Sequence, residues 1–355
     1  MTVKSGKVLV AMSGGVDSSV AAWLLQQAGY EVTGIFLCMG AAATGLDGSS
    51  GCCSYQDAAD ARRVADKLGI DLHTLNAAAD FEVIIRDFAD QYARGRTPNP
   101  CIHCNARVKF ARLIALADSL GAGWVASGHH ARIAAIDSRT AVARGRATGK
   151  DQSYVLFSLA RDKLARMRLP VGELADKSEV RRIARSLDLP VHDKPDSQDI
   201  CFAADGNYAD LLARYAPQAL RPGDIIDSTG RVLGRHDGYA RFTIGQRRGL
   251  GVAAGEPMYV THIDPASATV TIGPREQVMS DRLTVSGANW HADVTGQFDA
   301  TVQIRYNHAA AAARVRISGA DTFEVQFVAP LAAITPGQAA VVYDGPILLG
   351  GGWID

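Results

Sequence analysis

No apolar run in this chain approaches the roughly 18 residues that a membrane-spanning helix requires. No signal-peptide core precedes the first strand, so a cytoplasmic chain is the expectation. Charge of either sign is not in excess: Lys plus Arg number 37 and Asp plus Glu number 37. That balance excludes a globally basic nucleic-acid binder, and any RNA site must be a local patch. Neither common nucleotide fingerprint is present. No stretch reads G-x-x-x-x-G-K-S/T, and none has the G-x-G-x-x-G spacing. No repeat of fixed period stands out, and the one short biased stretch, Ala309 to Ala313, reads as filler.

The most informative segment present is Ala11-Met12-Ser13-Gly14-Gly15-Val16-Asp17-Ser18-Ser19. It follows the apolar run Val8-Leu9-Val10, which reads as a short buried strand. It leads into Ser19 to Leu25, spaced as a helix that ends by Gly29. A strand, a Gly-rich turn and a helix start make an anion site, because backbone N–H groups and the helix dipole favour negative charge there. The alternative is an ordinary glycine turn. Asp17 is a candidate magnesium contact, since a hard cation on phosphates takes one or two carboxylates. It can equally serve as a turn residue bonded to the backbone.

Strands and helices alternate through the first half. Glu31 to Leu37 reads as a strand, Asp57 to Leu68 as a helix, Ile70 to Leu75 as a strand and Phe81 to Tyr92 as a helix. Asn105 to Leu120 reads as a helix closed by Gly121, and Trp124 to Ser127 as a strand leading into Gly128-His129-His130. This order predicts an α/β fold with a doubly wound parallel sheet. Ligands of such sheets sit beyond the carboxyl ends of the strands, which makes Leu37 to Met39 and Gly128 walls of a nucleotide site. From Leu156 to Leu189 the pattern is helical, with Ser178 as the cap of Glu179 to Leu187. After about residue 215 short β-type runs alternate with Gly and Pro turns, the pattern of small barrels. The expected division is residues 1–215, 216–280 and 281–355: a nucleotide-binding domain followed by two small, mostly-β domains.

A cytosolic chain with six Cys points to reactive or metal-binding thiols rather than structural disulfides. Cys101-Ile102-His103-Cys104 follows Thr97-Pro98-Asn99-Pro100, whose prolines fix a non-helical approach. Cys104 is expected at a helix N-terminus, a position that favours thiolate. Cys201 lies far along the chain, in Asp196-Ser197-Gln198-Asp199-Ile200-Cys201-Phe202. Three readings stand for these thiols: sulfur or redox chemistry, a metal centre of three Cys with one open iron, or small buried apolar side chains. Cys38 reads as core, while Cys52 and Cys53 sit in a Gly/Ser-rich loop with no partner pattern. His103 reads as a spacer, and His130 and His192 carry no assigned role.

These residues resemble those of one family. Ser13 to Ser18 is similar to the pyrophosphate-binding (PP) loop of the adenine-nucleotide alpha-hydrolases, which bind ATP and adenylate a substrate oxygen. With Gly95 to Pro100 and Cys104-Asn105, Ser127-Gly128-His129, Lys150 to Tyr154, Lys194 to Phe202, Gly245 to Gly251, Arg305-Tyr306 and Gly350 to Gly352, the chain resembles the bacterial tRNA-specific 2-thiouridylases. The resemblance implies a PP-loop ATPase fold. It implies ATP-dependent adenylation of the C2 oxygen of a tRNA wobble uridine, followed by sulfur transfer to C2. It further implies Cys201 as bearer of a persulfide supplied by a sulfur-donor relay protein, and Cys104 as the nucleophile that completes release, leaving a Cys104–Cys201 disulfide. Ala11, Met12, Ser13, Gly14, Gly15, Val16, Asp17, Ser18, Leu37 and Gly128 would hold ATP with magnesium. Asn99, Pro100 and Cys101 would meet the base, and His129, Lys150, Asp151, Gln152, Arg305, Tyr306 and Gln338 would contact tRNA.

One departure stands out: many members of that family carry Asp where this chain has Cys101. A third thiol there opens the alternative of a 4Fe–4S cluster held by Cys101, Cys104 and Cys201. A related adenylating ligase is a further alternative. Basic stretches that suit phosphate contacts are Arg144, Arg146 and Lys150; Arg161, Lys163, Arg166 and Arg168; and Arg241, Arg247 and Arg248.

Overall fold

The computed structural model describes residues 6–40, 55–136, 139–196, 200–202, 208–253 and 255–355. Cys52, Cys53 and Ser197 to Asp199 lie outside the described residues. The chain divides into two compact units. One comprises Met1–Ile84, Cys101–Gly206 and Gly345–Leu349; the other comprises Ile85–Pro100, Asn207–Asp344 and Gly350–Asp355.

Along the chain come β1 (Lys7–Ala11), α1 (Val16–Gln27), β2 (Glu31–Cys38), α2 (Tyr55–Leu68), β3 (Asp71–Asn76) and α3 (Ala78–Ala93). The short α4 (Pro100–His103) runs into a π-helix, Cys104–Phe110, and then α5 (Ala111–Leu120). β4 (Trp124–Ala126), β5 (Ala131–Ile136), β6 (Arg139–Arg144), β7 (Met167–Arg168) and α6 (Lys177–Ser186) follow.

β1, β2, β3, β4 and β7 form a parallel sheet in the order β3-β2-β1-β4-β7. β1 lies inside it, so its Val8, Leu9 and Val10 are covered on both faces and only 0–2% exposed. That explains an uninterrupted apolar run rather than an alternating one. Each such side chain contributes about 1.5–3 kcal/mol of hydrophobic stabilisation. The small residues Ser18, Ser19, Ala21 and Ala22 are buried, as are Val16, Val20 and Leu25 of the same helix. Small side chains let a helix axis approach closely. The doubly wound α/β expectation therefore holds for this part of the chain.

Local details depart from the sequence reading. The span from 156 to 189 is not one helical region; 3-10 turns at Ser153–Leu156, Arg161–Arg166 and Pro170–Glu173 precede α6. α6 is capped by Asp176, whose carboxylate accepts from the Glu179 amide, rather than by Ser178. Asp is at least as good an N-cap as Ser, and Asp176 immediately precedes the first helical residue, whereas Ser178 lies inside the helix. β5 and β6 pair antiparallel, a pairing absent from the sequence reading.

The second unit carries α7 (Ala209–Tyr215), β8 (Gly223–Ile226), β9 (Val232–His236), β10 (Tyr259–Asp264) and β11 (Thr269–Gly273). Its later strands are β12 (Met279–Trp290), β13 (Gln297–Gln303), β14 (Ala311–Ile317), β15 (Phe323–Ala332), β16 (Ala339–Asp344) and the part of β17 (Ile347–Ile354) from Gly350 onward. β8 to β11 make a small sheet in the order β10-β11-β8-β9. From β12 the order is β12-β15-β14-β13-β16-β17, and an added β12–β17 pairing closes the ring. The expectation of mostly-β structure after residue 215 is met, and closure leaves this ring without a free edge.

Within the second unit the segment before Pro100 is held from several directions. The Thr97 amide donates to Pro336 O at 2.9 Å, and Gln338 Nε2 donates to Thr97 O at 2.7 Å. Arg96 Nη2 donates to Ile354 O at 2.7 Å. Gly337 sits at this contact with φ +89°, and a Cβ there would lie 3.0 Å from Arg96 Cβ and 3.1 Å from Thr97 N. Gly337→Ala is expected to cost about 2 kcal/mol, from left-handed backbone strain plus crowding. Thermal melting should show a midpoint about 4–8 °C lower; an unchanged midpoint contradicts this account of the turn.

Candidate active site

The loop after β1 is shaped by its own hydroxyls. The Ser13 amide donates to Ser18 Oγ at 3.2 Å, and Ser18 Oγ donates to Gly15 O at 3.0 Å. Ser19 Oγ also donates to Gly15 O, at 2.9 Å. Gly15 takes the N-cap position of α1 without a side-chain cap, so the helix presents backbone amides at the loop. Gly14 has φ +73°, and a Cβ on it would lie 2.3 Å from Asp57 O, so only glycine fits between loop and α2.

Ala11, Met12, Ser13, Asp17, Ser18, Leu37, Gly128, His129 and Gln152 line one cavity of about 220 Å³. Ile35, Met39, Lys109, Phe110, Leu113 and Ser127 complete the wall. Its volume is below the roughly 300 Å³ at the lower end for drug-sized ligands. It suits a nucleoside-sized group with phosphates extending along the loop. Of the expected nucleotide contacts, Gly14, Gly15 and Val16 do not line the cavity. Gly14 and Gly15 shape the turn, and Val16 is core.

Asp17 is the acidic side chain of that wall. Its two oxygens accept from Lys177 Nζ at 2.7 and 2.6 Å, and Oδ1 accepts from His130 Nε2 at 3.1 Å. Burial by itself would raise this carboxyl, but the His130 hydrogen bond and the Lys177 charge outweigh it and hold it below the usual range. Lys177 also reaches Asp196 Oδ1 at 2.9 Å, and Lys150 bonds the other oxygen at 3.0 Å. Burial opposes ionisation of Asp196 too, yet its lysine partners keep its pKa at about 2.

A second ammonium locks the loop from behind. Lys194 Nζ donates to Gly14 O at 3.0 Å and bonds Asp57 Oδ1 and Asp60 Oδ2, both at 2.6 Å. Burial would lower the Lys194 ammonium; its two carboxylates more than reverse that and raise it. Asp60 is further bonded by Arg63 and Gln56.

His129 stands at the cavity wall with Nδ1 2.7 Å from Ser127 Oγ. Desolvation is the main force on its ring; the nearby charges of Lys109 and His130 add to it, and the pKa falls to about 3. His129 is therefore a neutral imidazole near pH 7. Gln152 is fixed by a reciprocal pair with His130, its Oε1 accepting from the His130 amide and its own amide donating to His130 O, both at 2.8 Å.

The thiols do not occupy the positions expected from spacing. The helix starts at Pro100, so Cys101 rather than Cys104 lies in its first turn. Cys104 begins the π-helix and is buried, Cys101 is exposed and Cys201 is half-buried. The extended approach ends earlier than a helix at Asn105 would require, because Pro100 is well suited to the first helical position. Among the described residues no three His, Cys, Asp or Glu side chains converge as ligands for a metal ion. Cys101, Cys104 and Cys201 as placed here do not fit a shared iron–sulfur cluster.

Other expected contact residues have structural partners. Asp151 accepts from the Gly145 and Ser153 amides, Ser153 Oγ and Arg144 Nη1, which fixes the 144–153 turn. Arg166 bonds Asp118 and the carbonyls of Ala122 and Gly123, and Arg168 stacks 3.5 Å over Trp124. Those two arginines hold the fold together. In the second unit, Arg305 Nη2 donates to Ile244 O, Ala333 O and Thr335 Oγ1, while Tyr306 is exposed on a turn held by Gln303. Arg247 and Arg248 are exposed in a loop that Gln246 organises through Thr243 and Arg248. Asn99 is half-buried and Pro100 buried in the segment that Gln338 helps to hold.

Family models cover most of this chain. A tRNA methyl transferase HUP domain matches residues 6–205, a tRNA methyl transferase PRC-barrel domain 209–274, and an aminomethyltransferase beta-barrel domain 280–354. A tRNA-specific 2-thiouridylase MnmA from Carboxydothermus hydrogenoformans is 46% identical over 356 residues, covering 98% of this chain and 97% of the relative. The chain belongs to the tRNA-specific 2-thiouridylase family. A second 2-thiouridylase, from Rhodospirillum centenum, is 45% identical and covers 98% of this chain and 91% of its own. A third, from Syntrophotalea carbinolica, is 44% identical over the full length of both.

In this 2-thiouridylase, sequence reasoning missed Lys177, Lys109, His130, Asp57 and Asp60, and it quoted Lys194 without a role. Asp17 lies more than a hundred residues from Lys177, and Gly14, Asp57 and Asp60 more than a hundred from Lys194, so local spacing carries no signal for these contacts. His130 is the second of two adjacent His, and only the fold shows that it, not His129, bonds Asp17.

Lys194→Met should destabilise the protein by about 1–2 kcal/mol, because two carboxylates lose their cation while the site keeps 28% side-chain exposure. Urea unfolding together with ATP titration checks this; unchanged stability with unchanged affinity contradicts the lock. For His129, the folded pKa is depressed, so the unfolded chain takes up a proton below pH 6.5 that the folded chain refuses until about 3. Acidification through that window therefore costs stability. Ring NMR shifts of His129 should stay in the neutral form from pH 8 to about pH 5, and a midpoint near 6.5 contradicts the enclosure.

Proposed function

We propose that this protein thiolates C2 of the wobble uridine of tRNA, using ATP to activate the C2 oxygen. The observation that carries the reading is the cavity bounded by the Ser13–Ser18 loop, with its helix amides and the apolar wall of Ile35, Leu37 and Met39. That combination suits an adenine nucleotide: apolar surface for the base, backbone donors for phosphates. The 2-thiouridylase relatives supply the substrate class.

The C2 oxygen of uridine attacks the α-phosphorus of ATP, the bond to pyrophosphate breaks, and an O-adenylated uridine forms. A wobble base is already in a single-stranded loop, so presenting its edge costs little unstacking. The outer sulfur of a Cys201 persulfide then attacks C2, the C2–O bond breaks, and AMP departs with the former carbonyl oxygen. The Cys104 thiolate attacks Cys201 Sγ, the S–S bond breaks, and sulfur stays on the base as C2=S. A Cys104–Cys201 disulfide remains for an external thiol to reduce. A sulfur-donor protein reloads Cys201.

Magnesium would accompany the ATP phosphates and neutralise their charge, with Asp17 as the cavity carboxylate able to take it. Residues 1–215 would form the ATP-binding catalytic domain, 216–280 a central β-rich domain and 281–355 a barrel that meets tRNA. Tyr306, Arg247 and Arg248 are exposed and suited to RNA contacts. A reaction on tRNA would suit a cytoplasmic protein. Among the described residues no helix is long and apolar enough to cross a membrane.

The test supplies wobble-uridine tRNA, ATP, magnesium and a persulfide donor, then measures pyrophosphate and thiolated nucleoside. Cys104→Ala and Cys201→Ala should release pyrophosphate in a first turnover but lose thiolation by at least about 100-fold. Cys101→Ala should retain most activity, since Cys101 has no step in this route. Wild-type thiolation by the Cys104 and Cys201 variants sinks the persulfide route.

A further inference from the structure

The nucleotide cavity presents a charge problem that the loop does not solve alone. ATP brings several negative charges, and the cavity wall adds the Asp17 carboxylate. Lys177 and Lys194 do not line this cavity. Each is held between carboxylates, Lys177 by Asp17 and Asp196, Lys194 by Asp57 and Asp60. His129 is neutral at the pH of the reaction. Among the described residues lining the cavity, Lys109 is the cationic side chain.

Its placement follows from an unusual backbone. Lys109 belongs to the π-helix Cys104–Phe110, which opens with the buried Cys104. In a π-helix the backbone bonds residue i to residue i+5, so Cys104 and Lys109 lie one turn apart. An ordinary α-helix would put residues five apart on different faces, since one turn takes 3.6 residues. The wider winding thus keeps Lys109, which lines the cavity, and Cys104, which does not, about one turn apart in one element.

Resting on the reading of the site as an adenylating thiolase, we propose that Lys109 is a catalytic residue that contacts the α-phosphate of ATP. As the uridine oxygen bonds to the α-phosphorus and the bond to pyrophosphate breaks, negative charge grows on the phosphoryl and departing oxygens. An ammonium preset against those oxygens is worth more in the transition state than in the ground state. When sulfur later attacks C2, the C2–O electron pair leaves with AMP, and the same ammonium faces the same phosphate. Lys109 would serve both half-reactions, beside the thiol that completes the second.

The experiment compares wild type, Lys109→Met and Lys109→Arg. First-turnover pyrophosphate release is measured with wobble-uridine tRNA, ATP and magnesium and no sulfur donor, beside the dissociation constant for α,β-methylene ATP. Lys109→Met should slow release by at least about 30-fold, within reach of the ~100-fold typical for losing one such donor, while analogue affinity changes less than about tenfold. Lys109→Arg should recover at least about a third of the lost logarithmic rate, because its charge remains. A smaller rate loss in Lys109→Met overturns the assignment. So does a loss of analogue affinity as large as the loss of rate, which marks a packing role. Wild-type protein that binds the analogue but releases no pyrophosphate overturns the adenylation reading itself, and the assignment with it.

Discussion

Everything at the nucleotide loop depends on two ammonium groups that join stretches of chain with no local reason to meet. A glycine-rich turn has little stiffness of its own, because glycine restricts neither φ nor packing. Lys194 supplies that stiffness by bonding the Gly14 carbonyl and two carboxylates of α2 at once. Lys177 does the corresponding work at Asp17 and Asp196. Such partly buried pairs add little net stability against an apolar alternative, yet losing one partner strands a charge. Their value lies in fixing one geometry for the loop and the helix amides it presents.

The same network joins the nucleotide loop to the chain that leads toward Cys201. Lys194 and Asp196 sit only a few residues before that thiol, and both are committed to the loop side of the fold. The other thiol, Cys104, begins the π-helix. It follows Pro100 after the Arg96–Thr97 segment, which Pro336, Gln338 and Ile354 hold by backbone and side-chain bonds. Residues expected to touch tRNA thus include some, Gln338 and Asp151 among them, whose visible work is to hold other segments in place.

Much of the first sheet was legible because its signal is local. Val8-Leu9-Val10 needs no partner to read as a covered strand, and a turn of Ser and Gly before a helix reads as an anion cradle from composition alone. The cavity wall was legible in part: Leu37, Met39 and Gly128 follow from the rule that ligands sit at strand ends. Lys109 was not, because a helical reading of 105–120 assumes α winding, and a π segment has no composition cue. The cap of α6 was misassigned to Ser178 since Asp176 and Ser178 are both good cap types two residues apart. Arg166 and Arg168 looked like a basic patch in sequence, and only the fold reveals their carbonyl and indole partners.

Neither compact unit is a continuous piece of chain. Gly345–Leu349 belongs with the nucleotide-binding unit, where Ile347 pairs with Ala143. Ile85–Pro100 belongs with the β-rich unit. A ribosome that has delivered the whole parallel sheet has therefore not yet delivered every strand its unit uses. The last piece of the first unit, Gly345–Leu349, is made after nearly all of the second, so nascent chains carry an incomplete first unit through that stretch of synthesis. Dissecting this enzyme at a boundary drawn along the sequence would remove a strand from one part and a helical segment from the other.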